Sequence, residues 1–123
     1  MSQPNNDVKV FAMDWQTRHS AFVAGIEEFG RLVPIYNGRI NIHALAREQE
    51  QVMQLLRAEG YDPASDYLAI VGSPIAATVV TAAATRLACG QDLRLLVFDA
   101  VRQAYRHQTL PTGRPDTGLD QPT

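Results

Sequence analysis

The sequence predicts a single α/β domain built on a three-layer, mainly parallel sheet of about five strands. Three observations lead there. Short β-rich runs alternate with helix-patterned stretches from residue 8 to residue 110, and that alternation calls for right-handed crossovers and parallel strands. A length of 123 residues suits one domain with a real core. The run Tyr67–Val71 is apolar without alternation, as in a central strand covered on both faces. The expected strand order is 2-1-3-4-5, with helices on both faces and the last strand an antiparallel edge.

Val8 to Met13 reads as the first strand, closed by Asp14. Ser20 to Gly30 places Phe22, Ile26 and Phe29 at helical spacing, with Gly30 as a stop. Arg31 to Tyr36 is the second strand; Pro34 lacks a donor and assigns it to an edge. Asn37-Gly38 signals a turn. The next helix is expected to start at an Asn41 N-cap, with Ile40 and Leu45 as a hydrophobic staple. Ile42, Leu45, Val52, Met53 and Leu56 share its apolar face, and Gly60 ends it.

Asp62 to Asp66 is a loop before the third strand, Tyr67 to Val71. Ser73 then caps a helix from Ile75 to about Cys89, with Pro74 in its first turn and Gly90 after it. This helix is apolar nearly all round, so burial on more than one side is expected. Leu93 to Phe98 is the fourth strand, Asp99 to Gln103 a turn, and Ala104 to Leu110 the antiparallel fifth strand. Residues 1–7 are expected to be a flexible N-terminus and 111–123 a disordered tail rich in Pro, Gly, Asp and Thr.

Composition narrows the function classes. The chain is 46% hydrophobic and 20% charged, with formal charge −2 and a pI near 5.8, which supplies no global attraction to nucleic acid or anionic membrane. The longest apolar-leaning run, Ile75 to Cys89, is shorter than the ~20 residues of a membrane-spanning helix. Met1 to Asp7 is polar and contains no apolar stretch that could serve as a signal peptide, so none is expected. Cys89 is the sole cysteine, which rules out an internal disulfide and fits the cytoplasm.

In open α/β sheets, ligands sit beyond the carboxyl ends of the strands. That rim is expected to gather Asp14, Ser73 and Asp99 as ligand-binding candidates. The Gly72-Ser73-Pro74 junction offers free N–H groups at a helix start, suited to phosphate or carboxylate, though Pro74 removes one donor. No Walker lysine and no G-x-G-x-x-G is present, so neither nucleotide fingerprint is met. Structural capping is the plainer reading. Asp14 and Asp99 are candidates for holding a metal or acting as a base, against the common role of such residues as turn formers. Asp14 with His19 offers too few ligands for a zinc site.

Arg102, Tyr105, Arg106 and His107 form an aromatic-basic cluster on the expected edge strand, open to nucleic acid, to a partner strand, or to plain edge protection. His43 is expected in the first helical turn, neutral and partly exposed. Cys89, at a helix C-terminus, is expected to pack in the core rather than act as a nucleophile. Trp15 either covers a pocket at the sheet edge or, as preferred here, seals the core.

Glu28-Phe29-Gly30-Arg31-Leu32-Val33-Pro34 and Asn37-Gly38-Arg39-Ile40-Asn41 resemble segments of small uncharacterised α/β proteins encoded by bacterial phages and plasmids. Asp66 to Pro74 and Leu96-Val97-Phe98-Asp99 are similar to other segments of that group. The resemblance implies a mobile-element origin and no chemistry. With no catalytic constellation, complete cofactor motif or metal set, the expected protein is a non-enzymatic accessory factor without cofactor, acting by protein binding or self-assembly. Nucleotide or phosphate binding at the rim is the alternative, and weak nucleic-acid binding the second alternative.

Overall fold

The computed structural model describes residues 8–15 and 23–113 of the chain. The expectations for residues 1–7, for His19, for Ser20–Phe22 and for the tail from residue 114 lie outside the described residues.

The first strand, β1 (Lys9–Asp14), is buried along almost its whole length and sorts the core into two layers. Phe11 and Met13 face one side, where they pack with Val52, Leu56, Val79, Val80 and Leu95. Val10 faces the other, with Ile26, Ala69, Val71, Leu96 and Tyr105. Six further elements follow β1 and the short helix α1 (Val23–Glu27): β2 (Arg31–Tyr36), α2 (Leu45–Ala58), β3 (Tyr67–Ala69), α3 (Pro74–Ala88), β4 (Leu93–Asp99) and β5 (Ala104–Leu110). The sheet order is β2-β1-β3-β4-β5, parallel throughout except for the antiparallel β4–β5 pair. The expected architecture and order are thus observed, with α1 on one face and α2 and α3 on the other.

Several boundaries moved, each for a local reason. α2 starts at Leu45 with Ala44 as N-cap and no side-chain cap, not at Asn41. The Asn41 side chain instead accepts the His43 N–H at 2.9 Å, and its carbonyl takes the Ala44 N–H at 3.1 Å. This closes a separate turn ahead of the helix. His43 therefore precedes the helix rather than occupying its first turn, and Ile42, 59% exposed, is no part of the apolar face. The staple is absent too: Leu45 is exposed. Glu48 supplies the tie, accepting the Asn41 N–H at 3.2 Å and the Tyr36 hydroxyl at 2.7 Å.

β3 is shorter than expected. Pairing persists through an Ile70 N–H to Leu96 carbonyl bond at 3.0 Å, but the Ile70 side chain is 40% exposed at the carboxyl end of the sheet. α3 begins as read: Ser73 Oγ accepts the N–H groups of Ile75 and Ala76, with Pro74 at the first position. Its small residues Ala83, Ala84 and Ala88 are buried with Val79 and Val80 between sheet and α2, where short side chains let backbones approach. Ile75, Thr78 and Ala82 remain exposed. Helical phase carries Cys89 to that same outer side, in a left-handed conformation at φ 51°, so the cysteine is exposed rather than packed in the core.

Two junctions admit only glycine. A Cβ on Gly30 would lie 2.6 Å from the Val8 carbonyl oxygen. At Gly72, where φ is +85°, it would lie 2.5 Å from the carbonyl oxygen of Asp14.

Candidate functional site

The carboxyl rim of the sheet is organised around Asp14, the last residue of β1. Its carboxylate is buried, and both oxygens accept backbone donors: Gly38 N–H at 2.6 Å and Ser73 N–H at 2.9 Å. Bonds of this charge-assisted kind are roughly twice as strong as neutral ones. Asp14 thereby pins the β2–α2 loop and the β3–α3 loop to the end of the central strand. Close contact with Gly72 completes the knot. Ser73 stands beside Asp14 but turns its Oγ to the start of α3. Trp15 packs half-buried against the α1-side core, and its N–H bonds the Tyr36 carbonyl at 2.7 Å.

Asp99 ends β4 on the same rim, two strand positions from β1, about 10 Å by ordinary sheet spacing. It organises the β4–β5 turn: Oδ1 accepts the N–H groups of Val101 and Arg102, and Oδ2 lies 3.8 Å from both Arg102 Nε and Arg106 Nη1. Asp14 and Ser73 are brought together; Asp99 belongs to a neighbouring arrangement. Among the described residues no group of three or more His, Cys, Asp or Glu side chains is placed to hold a metal.

The aromatic-basic cluster of β5 is divided by strand alternation. Tyr105 is buried toward the α1 side against Phe98, ring centroids 5.4 Å apart. His107 shares that face and meets the Tyr67 ring edge-on at 5.3 Å. Arg106 lies on the opposite face and Arg102 in the turn, both paired with Asp99. The four residues therefore do not form one stacking surface.

A second feature escaped the sequence reading. A cleft of about 690 Å³ opens at the amino edge of the sheet, on the α1 side, bordered by Val8, Glu27, Glu28, Phe29, Arg31, Ser65, Tyr67 and Arg94. Arg94 lies 4.3 Å over the Tyr67 ring, bonds the Tyr67 hydroxyl, and donates to the Ala64 carbonyl at 2.8 Å. Phe29 meets Tyr67 edge-on. The available signal was Arg94 itself, a charge inside an apolar strand that must find partners. Beside this edge, buried Asp66 accepts the Lys9 and Asp62 N–H groups and pairs with Lys9 Nζ at 3.4 Å. It does for the amino edge what Asp14 does for the rim.

Three tyrosines have phenols pushed above their ordinary range. Burial is the main cause at Tyr36, reinforced by the Glu48 carboxylate. At Tyr61 burial again leads, with Asp66 and Asp62 adding to it. Tyr105 is raised by burial. The Tyr61 hydroxyl is buried without a hydrogen-bond partner.

The outer edge of β5 is the remaining candidate. Leu96 uses its carbonyl toward β3, accepting from Ile70, so its amide groups face away from β5. Leu96 is the register partner of His107, and this is therefore a non-hydrogen-bonded pair whose His107 N–H and carbonyl point outward. Alternation gives Thr109 the same orientation. At the other end of the sheet, Arg31 donates to the Val8 carbonyl, which turns Pro34 outward and leaves that edge short of a donor.

Compared with protein-family models, curated proteins and solved structures, the chain matches none of them. Among the described residues no helix is long and apolar enough to cross a membrane.

Proposed function

We propose that this chain is a non-enzymatic accessory protein, cytoplasmic and of mobile-element origin, that works by assembling with a second copy of itself through the β5 edge. The origin rests on the resemblance of residues 28–34, 37–41, 66–74 and 96–99 to phage and plasmid proteins. The assembly rests on one observation: β5 ends the sheet as a seven-residue strand with outward amide groups at His107 and Thr109 and no proline. Exposed strands of that kind are templates for another strand. Val97 and Leu110, on the α2–α3 side of the same hairpin, are exposed apolar side chains flanking that edge. Homo-oligomers most often close with two-fold symmetry, and an antiparallel strand pair has that symmetry.

Asp14, Ser73 and Asp99 remain a candidate phosphate or nucleotide contact only through donors other than those already engaged in the knot and the turn. Sedimentation equilibrium between about 1 and 100 μM tests the assembly reading. A monomer–dimer equilibrium is expected. Thr109→Pro removes an outward donor while sparing the ladder to β4, and should give a monomer with unchanged far-ultraviolet circular dichroism. A wild-type chain that stays monomeric throughout overturns the proposal.

A further inference from the structure

We propose that the cleft at the amino edge of the sheet binds a short peptide with free termini, its carboxylate at Arg94 and its ammonium group at Glu27 and Glu28. The site needs no second copy of the chain.

Strand alternation decides which side chains enter the cleft. Arg94 shares the α1-side face of β4 with Leu96 and Phe98, and Tyr67 shares that of β3 with Ala69. Arg31 does not. Leu32 faces the α1 side, so the Arg31 side chain faces α2, where it meets Glu59 at 3.8 Å. Its charge is engaged on the other face. The charged side chains that remain on the lining are Arg94, Glu27 and Glu28.

Arg94 is a half-buried cation, and among the described residues no carboxylate stands within ion-pair distance of it. Charges taken out of water are ordinarily paired. Of the five N–H groups of a guanidinium, one goes to the Ala64 carbonyl at 2.8 Å and one to the Tyr67 hydroxyl. The group also lies 4.3 Å over the Tyr67 ring. The other N–H groups belong to a fork that these contacts already hold in place. Such a fork suits a carboxylate, because little side-chain entropy is lost when the ligand arrives.

Glu27 and Glu28, where α1 runs into β2, are exposed and form no ion pair among the described residues. Two carboxylates there repel phosphate compounds and nucleic acid and attract an ammonium group. Phe29 and Tyr67, edge to face at 5.4 Å, form an aromatic wall of the cleft and suit an apolar side chain.

The separation of the two ends selects the ligand's size. β2 and β4 are three positions apart in the sheet order, roughly 14 Å at ordinary strand spacing. A free amino acid carries both charges on one carbon and reaches only one end. Two or three extended residues span roughly 7–10 Å, and the long Arg and Glu side chains cover the remainder. The cleft volume of about 690 Å³ accommodates a peptide of that size.

Isothermal titration calorimetry of the full chain with the tripeptide Ala-Phe-Ala supplies the test. Saturable binding with a Kd below about 1 mM is expected. Amidating the peptide's carboxyl end should weaken binding about tenfold or more, and acetylating its amino end about three- to tenfold. Neither change touches the protein, so neither result depends on how a variant folds. Glu27→Gln combined with Glu28→Gln alters two exposed side chains; it should reproduce the loss caused by acetylation and no longer respond to acetylation itself. Arg94→Gln should weaken the unmodified peptide about tenfold or more. No saturable binding up to about 10 mM overturns the site. Binding that amidation abolishes but that ignores both acetylation and the paired glutamate change overturns the peptide assignment. Undiminished binding to a folded Arg94→Gln chain, or to the amidated peptide, overturns the role of Arg94 and the proposal with it.

Discussion

Asp14→Asn is the most informative single substitution for the fold, because the structure specifies both partners of the carboxylate. Oδ1 accepts from Gly38 at 2.6 Å and Oδ2 from Ser73 at 2.9 Å, in a buried setting. An amide keeps one oxygen and replaces the other by an NH₂ group. Whichever way it turns, one backbone N–H then faces another donor at hydrogen-bond distance. One charge-assisted bond is lost, about 1.5–3 kcal/mol, and a buried donor is left without an acceptor, about 1–3 kcal/mol. The two losses overlap, so about 2–4 kcal/mol is expected in total. For a chain of this length, roughly 4 °C of melting temperature goes with each kcal/mol, which predicts a fall of about 8–16 °C. Thermal unfolding by circular dichroism, at one fixed protein concentration, reads it directly. Asp99→Asn, in a more exposed turn, is the matched control and should cost less than about 1 kcal/mol. A melting shift below about 3 °C for Asp14→Asn would refute the view that this carboxylate ties the rim loops together.

Two further predictions concern side chains away from the rim. Tyr36→Phe should cost about 1 kcal/mol through loss of the bond to Glu48, whereas Tyr61→Phe removes an orphaned hydroxyl and should leave stability unchanged or slightly higher. Both phenols are raised in the folded state, so their contribution is complete below the unfolded phenol value near pH ~10 and declines above it; denaturant midpoints at about pH 8 and pH 11 should converge toward each other when both tyrosines are Phe. Cys89→Gly should stabilise by about 0.5–1 kcal/mol, since a left-handed residue at a helix end is cheapest as glycine. In the wild type, the exposed Cys89 thiol should react fully with a disulfide reagent under native conditions, and slow reaction only on unfolding would contradict its placement.

Topology was legible because it depends on patterns repeated along the chain. Alternation of strands with helices, Pro34 at an edge, the Ser73-Pro74 cap and the continuous β3 run all express local chemistry that the fold obeys. The start of α2 was not legible, since Asn41 is an equally good cap for a helix or for a short turn, and only the long-range pull of Tyr36 on Glu48 selects the turn. Cys89 was misjudged for a similar reason: apolarity placed it inside, while helical phase at the last turn placed it outside. For the candidate sites, the sequence brought Asp14, Ser73 and Asp99 to one rim. It did not reveal that Asp14 has both oxygens engaged by backbone donors. The Tyr67–Arg94–His107 stack joins β3 to the β4–β5 hairpin, with Tyr67 and Arg94 27 residues apart, and no local pattern encodes it. The outward face of His107 follows only from the register of β4 against both its neighbours.

Pro34 carries a consequence for stoichiometry. A plate with two equally adhesive rims would add further plates at both ends and grow into a filament. Here the β2 rim has a ring nitrogen where a neighbour would look for a proton, while β5 turns the amide groups of His107 and Thr109 outward. If two β5 rims pair as proposed, the resulting ten-stranded sheet would end in β2, with its Pro34, on both sides. On the proposed β5 assembly, growth would then halt at a pair rather than continue as an open-ended fibre.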